Sequence, residues 1–72
     1  ISALNSSNFI IAYEDGGNSN YGTVIEGIAS GNSITFQPEF VFNTDVTQFC
    51  SVISIDDSYF VVAFENIGAI AA

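Results

Sequence analysis

Apolar and polar residues alternate along this chain in short blocks, with polar clusters between them. No block carries the spacing of an amphipathic helix, whereas runs of Val, Ile, Phe, Tyr and Thr at strand length argue for β-structure. Residues 8–14 are apolar on both sides, with Phe9, Ile11 and Tyr13 on one and Ile10 and Ala12 on the other. Such a strand belongs between two layers. Residues 22–29 set Val24 and Ile28 against Thr23, Ile25 and Ala29. In residues 34–42, Ile34, Phe36, Phe40 and Phe42 share a face opposite Thr35, Gln37, Glu39 and Val41. Pro38 lies inside that stretch, and without an N–H to give the ladder it predicts an edge strand or a bulge. Residues 48–55 and 59–66 read as two further strands, and 2–4 as the end of another. Turn-forming residues punctuate the chain at 5–7, 15–20, 30–32 and 56–58, with a loop at 43–45. The pattern predicts an all-β antiparallel meander of about six strands. Residues 67–72 are small and apolar and suggest no element.

The chain also resembles itself. Ser7-Asn8-Phe9-Ile10-Ile11-Ala12-Tyr13-Glu14-Asp15 matches Ser58-Tyr59-Phe60-Val61-Val62-Ala63-Phe64-Glu65-Asn66 at an offset of 51 residues. The match runs back through Leu4/Ile55 and Asn5/Asp56 and forward to Gly17/Gly68. Two unrelated strands can share an apolar rhythm, but sharing the preceding turn and the acid–amide end as well is much less expected. A period near 50 built only of short strands is the mark of a β-propeller blade. Residues 1–47 then supply most of one four-stranded blade, and 48–72 the first two strands of the next plus a tail. A small β-sandwich is the alternative. The run from Phe9 to Thr23, with Ser30-Gly31-Asn32-Ser33-Ile34-Thr35-Phe36 and Val41-Phe42-Asn43, resembles propeller-type tandem repeats. Those repeats come from large, poorly characterised surface or extracellular proteins of marine bacteria and algae. The resemblance implies a blade fold and an extracellular or cell-surface location, an organelle lumen being the alternative. It implies no defined activity. The second copy departs from the pattern after Asn66, where Ile67-Gly68-Ala69 replaces the Gly-Gly-Asn-Ser-Asn turn.

Charge narrows the function. Eight acidic residues and no Lys, Arg or His give a net charge of -8. Nothing in the side chains can neutralise phosphates, which excludes nucleic acid as a partner, and an anionic membrane surface falls with it. Without His or Lys there is no conventional general base near neutral pH and no Schiff base, so an enzyme is not expected. A chain of this size buries only about 60% of its unfolded surface. Its single cysteine, Cys50, cannot close an internal disulfide. One and a half blades cannot close a ring, so Ile10, Ile11, Val24, Ile25 and Ile28 are expected on exposed faces, and the chain is expected to be a fragment or a subunit of an assembly.

Four clusters are candidates for chemistry. Asp15, Asn18 and Asn20, in the glycine-containing turn, could donate oxygens to calcium; the competing reading is a turn in which Asp and Asn cap their own backbone. Cys50 could be a reactive thiol, but no cation in the chain would activate it, and a small buried apolar residue is the ordinary reading. Asp56-Asp57 and Glu14/Glu65 could be paired carboxylates, against solvated turns and strand ends. Tyr13, Tyr21 and Tyr59, with Asn18 and Asn20, could form a platform for glycans, against plain packing. The expected function is a non-catalytic structural or protein-interaction repeat, whose partners are other propeller blades or protein subunits. Carbohydrate-binding or calcium-dependent adhesion is the alternative.

Overall fold

The computed structural model describes residues 1–67. It is all-β. Six strands follow one another in the chain: β1 (Ser2–Ala3), β2 (Asn8–Asp15), β3 (Tyr21–Ser30), β4 (Ser33–Phe36), β5 (Phe40–Ser54) and β6 (Phe60–Asn66). All pairings are antiparallel, in the order β1-β2-β3-β5-β6, with β4 also on β3. The expected meander is therefore present. Among the described residues no helix is long and apolar enough to cross a membrane. Of the tail, residues 68–72 lie outside the described residues.

Two expectations about the middle of the chain need correction. Residues 34–42 do not form one strand. They split at Pro38 into β4 and the start of β5, and both parts lie along β3. Phe36 pairs with Gly27 and Phe40 with Val24, so three residues on one side face two on the other. That is a bulge placed where proline withholds its donor. Gln37 N still donates to Glu26 O at 2.9 Å, which keeps the ladder running up to the proline.

The loop expected at residues 43–45 is a second irregularity within β5. Tyr21 pairs with Val46 and the next residue, Gly22, with Asn43, so Thr44 and Asp45 are extruded. Side chains hold the extrusion. Asn43 Nδ2 donates to Thr47 Oγ1 at 2.8 Å, and Thr47 Oγ1 donates to Asp45 O at 2.9 Å. Thr47 N donates to Asn20 O at 3.0 Å. Thr47 is completely buried, so its hydroxyl must be satisfied locally, and both contacts do so. What looked like a boundary between two strands is one long strand, β5, which leaves β3 and goes on to pair with β6.

Gly22 explains why β5 can bend so closely over β3. A Cβ at this position would stand 2.6 Å from the Phe42 ring and 2.9 Å from Thr47 Oγ1. Only glycine admits both groups. Phe42 in turn meets Phe64 of β6, with ring centroids 4.9 Å apart and planes at 62°. On the same side, Ser2 Oγ donates to Ser54 Oγ at 3.2 Å and accepts from Ser54 N at 3.1 Å. The β5–β6 hairpin thus folds against the β1–β2–β3 sheet. Consequently Ile10 and Val24, expected on an exposed face, are only 4% and 6% exposed, while Ile11, Ile25 and Ile28 are half-buried. The expected exposure falls elsewhere: Ile34, Phe36, Phe40, Ile53, Ile55 and Val61 are all mostly exposed.

The two hairpins close in the same way. Ser2 pairs with Ile10 and Ala3 with Phe9; Ile53 pairs with Val61 and Ser54 with Phe60. In the first turn Asn5 Oδ1 accepts from Ser7 N at 2.8 Å and Asn8 N at 2.9 Å. In the second, Asp56 Oδ1 accepts from Ser58 N at 2.8 Å and Tyr59 N at 3.0 Å. Leu4 N and Asn5 N both donate to Asn8 O, as Ile55 N and Asp56 N both donate to Tyr59 O. Asn and Asp exchange freely here because the turn uses only one acceptor oxygen.

The Thr47 junction makes a prediction. Thr47→Val keeps the shape but strips the hydroxyl, and should cost about 1–3 kcal/mol in denaturant unfolding, because Asn43 Nδ2 loses its acceptor. Asn43→Ala added to Thr47→Val should cost much less than it does alone, since the two side chains share one bond.

Candidate functional site

Glycine and aromatic rings build the most distinctive surface. Gly27 pairs with Phe9 on one side and Phe36 on the other. A Cβ on Gly27 would run into the Phe9 ring. Because that Cβ is missing, the Phe9 and Phe36 rings meet over the glycine, 6.2 Å between centroids and 87° between planes, in the edge-to-face arrangement aromatics prefer. An interior strand glycine is a sequence sign of close approach, and Gly27 carried that sign.

Tyr13 stands further along the same face of β2. Its hydroxyl donates to Glu39 Oε2 at 2.6 Å, linking β2 to the residue that follows Pro38. Burial, then that bond and the negative charges of Glu39 and Asp15, push the Tyr13 pKa up to about 12. The counterpart Phe64 has no hydroxyl, so this clasp exists only in the first copy. Neither tyrosine nor glutamate was legible as a pair, because 26 residues separate them and only the bulge at Pro38 brings them together.

The turn between β2 and β3 holds Asp15, Asn18 and Asn20. Asp15 Oδ1 accepts from Gly17 N at 3.0 Å, and Asp15 O accepts from Asn18 N and Asn20 N at 3.0 and 2.9 Å. The Asp15 side chain is thus engaged by its own turn, while Asn18 and Asn20 are exposed. Ser19 and Asn20 adopt left-handed φ values of 57° and 62°, which Asn tolerates better than most residues. Among the described residues no three His, Cys, Asp or Glu side chains cluster as a metal site. Asn66, the counterpart of Asp15, buries its Oδ1 with no partner among the described residues.

The three tyrosines are not one platform. Tyr13 and Tyr21 sit at the end of the β2–β3 pair near Asn18 and Asn20, Tyr21 being paired with Asp15. Tyr59 instead follows the turn of the second hairpin, in the place of Asn8. Glu14 and Glu65 lie at matched points of β2 and β6, and Asp56 is spent on its turn.

Cys50 falls in a further bulge. Gln48 pairs with Glu65 and Ser51 with Ala63, so Phe49 and Cys50 together face Phe64. The thiol is half-buried, and burial together with the Glu14 carboxylate pushes its pKa up, which lowers the thiolate fraction. Phe49, at φ 55°, points its ring outward and is 78% exposed. A bulky residue in the left-handed region is uncommon and costly. Nothing in the sequence marked it, since Phe in a strand ordinarily signals the core. With no pocket among the described residues, the exposed apolar side chains are the dominant surface feature. Comparison with family models, curated proteins and solved structures yields no match.

Two measurements test these sites. The contribution of the Tyr13 phenol is complete below pH 10, its ordinary titration point, and is lost as pH rises through about 12. Alkaline unfolding should therefore begin later in Tyr13→Phe than in the wild type, relative to each protein's stability at pH 8, as followed by circular dichroism. Phe49→Gly should leave stability unchanged or raise it by up to about 1 kcal/mol in urea unfolding, because relief of the left-handed strain offsets the little apolar area lost.

Proposed function

We propose that this chain is a non-catalytic protein-interaction module, a propeller-type β-repeat that completes its core against further copies of the unit or other subunits. The observation that carries the reading is the hairpin coincidence. Strand register, both side-chain bonds to the turn and both backbone bonds recur at an interval of 51 residues. In this reading residues 1–47 are most of one blade, and β5 passes without interruption into the innermost strand of the next. The Ser2–Ser54 bonds set the two innermost strands side by side, as successive blades lie around a propeller axis.

Exposure supports the same reading. Ile34, Phe36, Phe40, Phe49, Ile53, Ile55, Tyr59 and Val61 are each more than half exposed. Scattered apolar residues are ordinary on a surface, but so many on two hairpins, against two buried apolar side chains among the described residues, call for a partner. The net charge of -8 keeps such a module soluble and repels nucleic acid and anionic membranes, which leaves uncharged protein surfaces as the partner class. An extracellular or cell-surface setting is part of the same reading.

Sedimentation tests the proposal. The 72-residue chain should associate with itself, and a longer chain of several 51-residue copies should sediment as a monomer with a sharp thermal transition. A 72-residue monomer that melts cooperatively would replace the propeller with a self-sufficient sandwich.

A further inference from the structure

β6 is a copy of β2 that lacks its neighbour. β2 is covered on its far edge by β3 through eight consecutive pairs, from Asn8↔Ile28 to Asp15↔Tyr21. Among the described residues β6 pairs with β5 alone, and its other edge ends the sheet. The two strands also differ in cover residue by residue. Ile10 is 4% exposed and its counterpart Val61 is 51% exposed. Phe60 and Phe64 are exposed where Phe9 and Tyr13 are half-buried. An open strand edge beside apolar side chains is a template for another strand.

Resting on the repeat reading above, we propose that the β6 edge binds an antiparallel strand of the β3 pattern, read by side chain as well as by backbone. The first sheet supplies the pattern. Glycine must face Phe60, because Gly27 faces Phe9 and a Cβ there would strike the ring. Glutamate faces Val61, as Glu26 faces Ile10, and Ile and Val face Val62 and Ala63, as Ile25 and Val24 face Ile11 and Ala12. Thr23 marks the position opposite Phe64, and Gly22 the one opposite Glu65. The occupant is therefore a strand with the pattern of Tyr21–Ser30, the β3 counterpart in the unit whose β2 counterpart is β6. The glycine opposite Phe60 selects it, because a side chain there denies the ring the position that Phe9 takes over Gly27.

A peptide titration decides. The isotope-labelled 72-residue chain is mixed with a synthetic peptide of residues 21–30, and amide hydrogen exchange is followed residue by residue. The wild-type peptide should protect the amides of β6 and leave those of β2 unchanged. A peptide with Gly27→Val should bind at least about tenfold more weakly, since overpacking at one contact is worth that much. Equal binding of the two peptides, or protection that appears on β2 or β1 instead of β6, overturns the proposal. So do contacts that join β6 to the β6 of a second molecule before peptide is added, because the edges would then pair with each other. These outcomes are separate from failure of the repeat reading. That failure shows as a cooperative monomer in sedimentation, whereas loss of glycine selectivity in a self-associating chain removes the strand code alone.

Discussion

The close approach of β5 to Gly22 is the constraint on which the rest of this structure depends. Glycine leaves room for the Phe42 ring and the Thr47 hydroxyl at distances no other residue would allow. Thr47 then ties β5 to the β2–β3 turn through Asn20, and to its own extruded loop through Asn43 and Asp45. Because Thr47 has no access to water, each of these bonds replaces one that solvent would have made, and losing any of them leaves a buried polar atom bare. β5 turns at this point from one sheet into the next hairpin.

From that turn follows the small core. Phe42 reaches Phe64, Ser2 reaches Ser54, and the face carrying Ile10 and Val24 is shielded. On the opposite face Thr23, paired with Tyr13, is also completely buried. That face is organised by Gly27, over which two phenylalanine rings meet, and by the bond from Tyr13 to Glu39. Irregularities at Pro38, at Phe42, at Thr44-Asp45 and at Phe49-Cys50 give the sheet its uneven path. Bulges raise local twist and re-aim side chains, and here they bring Glu39 to Tyr13 and turn Phe49 outward. The same irregularity that makes the fold hard to read from one strand to the next thus creates its specific contacts.

The interaction reading draws on both levels. In the interaction we propose, apolar strands with no basic residue meet uncharged protein surfaces, and the paired hairpins supply the pattern of the strand they meet. A strand edge whose counterpart is visible elsewhere in the same chain is an unusual guide, because it names the missing neighbour side chain by side chain. The calcium and saccharide possibilities draw on the Asp15 turn and the tyrosines, where the Asp15 carboxylate already serves its own turn and Tyr59 stands apart from the other two.

By itself the sequence determined the β class, the antiparallel meander, the turns at 5–7, 15–20, 30–32 and 56–58, and the match between residues 4–15 and 55–66. These follow from local pattern: alternation of side chains, turn residues that accept backbone bonds, and a period that survives sliding the chain along itself. An irregularity at Pro38 was legible too, though not the division into β4 and β5, because a missing N–H acts wherever the residue lies. What only the tertiary structure decided was the continuity of β5 through residues 43–45, the burial of Ile10 and Val24, the Tyr13–Glu39 bond and the outward turn of Phe49. Each depends on contacts between residues distant in the chain, and a bulge of one or two residues shifts the register that alternation would assign to everything beyond it. Local preference specifies strands and turns; which faces are covered is settled only when Gly22 lets β5 come close enough to fold one hairpin against the other.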